Sequence, residues 1–63
     1  MLRYRLLDPR GNDLGPYVSR EVDYLPGDRI RIRPGEQYVV LNVLEAQAVG
    51  FHAYLVVETE LSP

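Results

Sequence analysis

The stretch Leu25–Leu44 constrains the fold more than any other part of the chain. It reads Leu-Pro-Gly-Asp, then Arg-Ile-Arg-Ile-Arg, then Pro-Gly, then Glu-Gln-Tyr-Val-Val-Leu-Asn-Val-Leu. Pro26 followed by Gly27 suits a type II turn, because glycine reaches positive φ without steric cost. Arg29 to Arg33 then alternates with period two, the mark of a strand. Ile30 and Ile32 are expected to point inward, and Arg29, Arg31 and Arg33 outward. Pro34-Gly35 supplies a second turn, so the chain is expected to double back as a hairpin. In the returning strand, Glu36 to Glu45, Tyr38, Val40, Asn42 and Leu44 share one face and Val39, Leu41 and Val43 the other. Straight alternation assigns the second set to the interior and Tyr38 and Val40 to the outward surface. Both faces are apolar, which predicts a central strand covered twice.

The flanks read as further strands separated by turn chemistry. Leu2, Tyr4 and Leu6 alternate with Arg3 and Arg5, and Asp8-Pro9 ends that strand. Asp8 to Pro16 holds two Gly, two Pro and three Asx residues and predicts a loop. Gly11 and Gly15 do not make a phosphate cradle, since no Gly-Lys-Ser/Thr follows and no helix is signalled. Tyr17 to Tyr24 is expected as an irregular strand, its β-favouring Tyr and Val outweighing a rival helical turn capped by Ser19. Ala46 to Gly50 is a short connector with room for a helical turn. Phe51 to Glu60 is the last strand, with Phe51, Ala53, Leu55 and Val57 on the core face. His52, Tyr54, Val56 and Glu58 lie opposite, and Leu61-Ser62-Pro63 is a fraying tail.

Five short strands punctuated by Gly and Pro predict an all-β chain. The expected form is a single small five-stranded antiparallel barrel or sandwich with at most one short helical turn, one domain spanning 1–63. The strand count, the long early loop and the Gly27-Asp28-Arg29-Ile30-Arg31-Ile32 turn–strand element resemble SH3-like small β-barrel proteins of bacterial or phage type. The succession of Gly-Asp, alternating strand, turn and Tyr-Val-Val strand is also similar to elements of phage head–tail connector proteins. This resemblance implies a barrel fold and a structural role in a phage-like assembly as one reading. It assigns no functional residue.

Composition narrows the function classes. The chain has 63 residues, no cysteine and one histidine. A domain of that size buries only about 60% of its unfolded surface. No disulfide can staple it, and four-ligand zinc sites built from Cys and His are excluded. No cofactor is expected. Hydrophobic residues make up 46% and charged residues 25%, a globular rather than disordered balance. No apolar run nears the ~20 residues of a membrane span. The N-terminus lacks the apolar core and small-residue cleavage site of a signal peptide, so a cytoplasmic location without membrane contact is the expectation.

No catalytic constellation emerges. Ser19, Ser62 and His52 are the chain's serines and its imidazole. No nucleophile-elbow pattern surrounds Ser19, and the carboxylate pairs sit at turns or strand ends. The expectation is therefore a non-enzymatic module that acts by binding. Arg29, Arg31 and Arg33 project from one strand at ~7 Å intervals, near Tyr24, Tyr38 and Tyr54. Arg and Tyr are enriched in protein interfaces, and rings beside guanidiniums also suit single-stranded nucleic acid. A net charge of -2 counts against a dedicated nucleic-acid binder. The apolar face formed by Tyr38, Val40, Leu44, Tyr54 and Val56 exceeds what a monomer needs to cover, which predicts self-association as a homodimer. The candidate surface is thus Arg29, Arg31, Arg33, Tyr38, Val40, His52, Tyr54 and Val56. His52 is included because an imidazole titrating near neutrality makes an interface sensitive to pH.

Overall fold

The computed structural model describes residues 1–20 and 23–60, and of Arg33 the backbone alone. Five strands follow in chain order: β1 (Leu2–Leu7), β2 (Asp13–Ser19), β3 (Arg29–Arg33), β4 (Glu36–Glu45) and β5 (Ala53–Thr59). They form one sheet in the order β2-β1-β5-β4-β3, curled into a half-barrel. The all-β expectation holds, and no helix occurs among the described residues. The expected all-antiparallel pairing needs one correction. β1 and β5 run parallel, with Tyr4 opposite Ala53 and Leu6 opposite Leu55. β1 gives one side to its hairpin partner β2 and the other to the last strand, which arrives in the same direction.

The strand expected over Tyr17–Tyr24 is also corrected. β2 begins at Asp13 and ends at Ser19, so it runs through the Gly-Pro pair that read as a loop. Two local devices allow this. Gly15 has φ 108, and the register with β1 slips between Leu6 and Leu7, leaving Leu14 as the extra residue of a bulge. Pro16 lacks an N–H and is tolerated because β2 is an edge strand. Beyond Ser19 no regular structure covers Asp23 to Leu25. Glu21, Val22 and the predicted tail at 61–63 lie outside the described residues.

The core consists of Tyr4, Leu6, Ile30, Val40, Ala53, Leu55 and Val57. Leu2, Tyr17, Tyr24, Tyr38 and Val43 pack against it. The inward faces of β1 and β5 follow the alternation, Phe51 excepted, as it precedes the strand. β4 does not follow it. Val40 pairs with Val57, yet Asn42 pairs with Val56, so Leu41 is bulged out and the strand changes phase there. Before the bulge Tyr38 and Val40 face inward; after it Val43 does. This corrects the expectation that Tyr38 and Val40 form an outward surface with the arginines. Val40 is 0% exposed, whereas Leu41, expected inside, is 40% exposed. Ile32, also expected inside, is 38% exposed beside the register slip between Arg31 and Arg33.

The turns anchor these strands. Asp28 N–H donates to the Leu25 carbonyl at 3.0 Å, and Gly27 has φ 99, as the Pro-Gly pair requires. The Asp28 carboxylate accepts from Leu25 N–H at 2.8 Å. In the β1–β2 loop, Asp8 Oδ1 accepts from the backbone N–H of Arg10 and Asn12, and Oδ2 from the Asn12 side-chain amide. These bonds, led by that from the Asn12 side chain, hold the Asp8 carboxyl below the usual aspartate range.

The phase change in β4 predicts an inverted pair of mutational effects. Val40→Ala should cost about 2 kcal/mol by removing packed methyls from the core. Leu41→Ala should cost no more than about 0.5 kcal/mol, as at other surface positions. Urea midpoints for the two variants measure this; equal losses, or a larger loss at Leu41, would place the bulge wrongly.

Candidate binding surface

Register decides which side chains share the outer face of the sheet, because directly paired residues point to the same side. Pro16, Arg5, Tyr54 and Leu44 make one row across four strands. Leu7, Val56 and Asn42 make the next. Arg29, Val39 and Glu58 make a third, and Arg31 sits beside Gln37. The structure therefore places four members of the expected set, Arg29, Arg31, Tyr54 and Val56, on one face. Tyr38 and Val40 are on the opposite, inner face. His52 is exposed at the far end before β5; its ring meets the buried Tyr4 ring edge-on at 5.5 Å, and its backbone N–H donates to the Arg3 carbonyl at 2.7 Å. The Arg33 side chain lies outside the described residues.

The densest group on this face shares only Tyr54 with the expected set. The Arg5 guanidinium carbon lies 4.7 Å from the Phe51 ring centroid and 5.8 Å from that of Tyr54. Arg3 lies 5.3 Å from the same Phe51 ring, and the two rings meet edge-on at 6.0 Å. Arg5 Nη1 also bonds Asp13 Oδ2 at 2.6 Å, joining β1 to the start of β2. Arginine stacks on aromatic faces while keeping its in-plane donors for a carboxylate, and Arg5 does both. Arg3 and Arg5 were legible as the outward residues of β1. Phe51 was not, because alternation extended two residues too far back places it inside, whereas it is half-buried against Arg5.

A second feature lies between the edge strands. Tyr17 and Ser19 of β2, Tyr24, and Arg29, Ile30 and Arg31 of β3 line a groove of about 410 Å³. It is the open seam of the half-barrel. Tyr24 fills its floor, edge-on to Tyr4 at 5.1 Å and tilted against Tyr17 at 6.5 Å. Its hydroxyl is 2.7 Å from Ser19 Oγ. Burial pushes the Tyr24 phenol up to about 12, against the smaller opposing effect of the Ser19 hydrogen bond. At the rim, Arg29 Nε lies 3.3 Å from Glu60 Oε2. That oxygen has no aligned hydrogen bond, so the contact is an ion pair without one. Among the described residues no three His, Cys, Asp or Glu side chains gather as a metal site, and no helix is long and apolar enough to cross a membrane.

Comparison with protein-family models, with curated proteins and with solved structures found no match.

The elevated phenol of Tyr24 ties stability to alkaline pH. An unfolded tyrosine ionises near 10, so the unfolded chain loses its proton first. The stabilisation is fully present below pH ~10 and is lost as pH rises toward 12. The urea midpoint of the wild type should therefore fall more steeply over that window than that of Tyr24→Phe. Parallel curves would show that Tyr24 ionises like a solvated phenol. At neutral pH the same variant should lose about 1 kcal/mol, the net worth of one hydrogen bond.

Proposed function

We propose that this chain is a non-enzymatic small β-barrel module of SH3-like type that binds protein in the cytoplasm, its own copy included. The observation that supports this reading is the outer face of the sheet. Leu7, Tyr54 and Val56 are half-buried there. Leu44 is 40% and Val18 52% exposed, and the Arg3–Arg5–Phe51–Tyr54 cluster borders them. An apolar patch bordered by Arg and aromatic side chains has the make-up of an interface. A twofold dimer is the simplest way to cover it. The membership differs from the patch expected from alternation: Leu44, Tyr54 and Val56 remain, while Tyr38 and Val40 leave it for the core.

The nucleic-acid reading rests on the Arg29, Arg31 and Arg33 stripe with Tyr24, Tyr38 and Tyr54. It is less well served by the geometry, since Tyr24 packs edge-on against Tyr4, Tyr38 packs against the core and Tyr54 meets Phe51 edge-on. Titration with a single-stranded oligonucleotide at two salt concentrations separates the readings, because phosphate contacts weaken steeply with salt.

Self-association predicts twice the chain mass by sedimentation at micromolar concentration. Leu44→Glu should return the monomer, with a urea midpoint equal to that of the wild type diluted until it too is monomeric, since Leu44 lies outside the core. A wild type that stays monomeric throughout the micromolar range removes the homodimer from the reading.

A further inference from the structure

The two edges of the half-barrel differ in what their backbones offer. On β1 the Arg3 carbonyl accepts from His52 N–H, on the β5 side. Backbone groups alternate sides along a strand. Leu2, Tyr4 and Leu6 therefore face β2, and their partners Ser19, Tyr17 and Gly15 face back. Pro16 and Val18 are left pointing off the free edge, and Pro16 has no N–H to give. The β2 edge is thus interrupted at its middle. On β3, the Val40 N–H donates to the Asp28 carbonyl at 2.8 Å, which sets the phase of the β3–β4 ladder. Ile30 turns its backbone groups toward Tyr38, and Arg29 and Arg31 turn theirs away from β4. Each offers a complete N–H and C=O pair, and among the described residues no strand pairs with that edge. Such a row is a template for another chain.

The side chains decide which chain. A second copy laid antiparallel on β3 sets Arg29 and Arg31 directly against Arg31 and Arg29, and like charges so placed are destabilising. The edge therefore rejects itself. A strand carrying Asp or Glu at two positions, two residues apart, sets both carboxylates against the guanidiniums on the outer face. The residue between them points inward beside Ile30, toward the Tyr17 and Tyr24 rings in the seam. That position favours an apolar side chain.

We propose that the β3 edge takes, by antiparallel strand addition, an extended protein segment with acidic residues at alternate positions and an apolar residue between them. This rests on the protein-binding reading and is separate from self-association, which uses the outer face. Main-chain bonds give such additions their affinity and the alternate side chains their specificity.

The test is an NMR titration of the labelled full chain with the synthetic peptide Thr-Val-Glu-Val-Glu-Val-Thr. The Arg29 and Arg31 amides should shift most and gain protection from exchange. A peptide with Lys for both Glu should bind at least tenfold more weakly, as should one N-methylated on the backbone of both Glu residues. The double variant Arg29→Glu/Arg31→Glu should reverse the preference between the Glu and Lys peptides. Equal binding of the two peptides, shifts centred on Val18 or Leu44, or stronger perturbation of the same amides by oligothymidylate at low salt would each overturn the proposal. The peptide controls leave the protein unchanged, so they remain decisive if the double variant fails to fold. Sedimentation reads self-association independently: a monomer that selects the Glu peptide upholds the proposal, and a dimer that ignores it overturns it.

Discussion

Val40 is held from three directions, and the sheet depends on that. Its side chain is fully buried against the β5 core. Its N–H donates to the Asp28 carbonyl, and its carbonyl accepts from Gly27 N–H, both at 2.8 Å. The Pro26-Gly27 turn is thereby tied to the middle of the sheet, and β3 is started in register. Immediately after Val40 the bulge at Leu41 lets Val43 face the core again. Bulges increase local twist and bend the strand that carries them. The curl of the half-barrel is consistent with the bulges in β2 and β4, one at each side of the β1–β5 centre.

The same geometry separates the surfaces. Among the described residues, seven buried apolar residues and a fringe of half-buried ones fill the inner face. The outer face keeps its own apolar row beside a cluster of arginine and aromatic side chains, with Arg5 stacked on Phe51 and bonded to Asp13. A 63-residue chain without disulfides depends on apolar burial for its stability. Covering the outer row as well adds burial that one copy alone does not supply. The seam is a different kind of surface. Backbone alternation leaves Arg29 and Arg31 as donors and acceptors at one edge, while Pro16 interrupts the other.

Legibility varied with how polar residues marked the faces. β1 and β5 were readable because Arg3, Arg5, Glu58 and the apolar inward set alternate without interruption. Both ends of β3 and the start of β4 were readable from Pro-Gly turns, whose φ requirement is local. β2 was hidden because Gly15 and Pro16 signal a turn, and a bulge at the one and an edge position for the other make both acceptable inside a strand. The interior of β4 was misread because every residue from Tyr38 to Leu44 except Asn42 is apolar, so nothing local reveals a change of phase. Of the candidate surface, Arg29, Arg31, Tyr54 and Val56 were found by alternation. The Arg5–Phe51–Tyr54 cluster needed the parallel β1–β5 pairing, which joins residues about fifty positions apart.

The sequence alone determined the all-β class, the five-strand count, both Pro-Gly turns and the inward faces of β1 and β5. These follow from period-two patterning and from backbone preferences of single residues, which act over a few positions. Tertiary structure decided that β1 meets β5 in parallel, that the sheet stays open between β2 and β3, and that Val40 rather than Leu41 fills the core. Those outcomes depend on hydrogen-bond register between distant strands, and a one-residue slip in register exchanges the two faces of a strand.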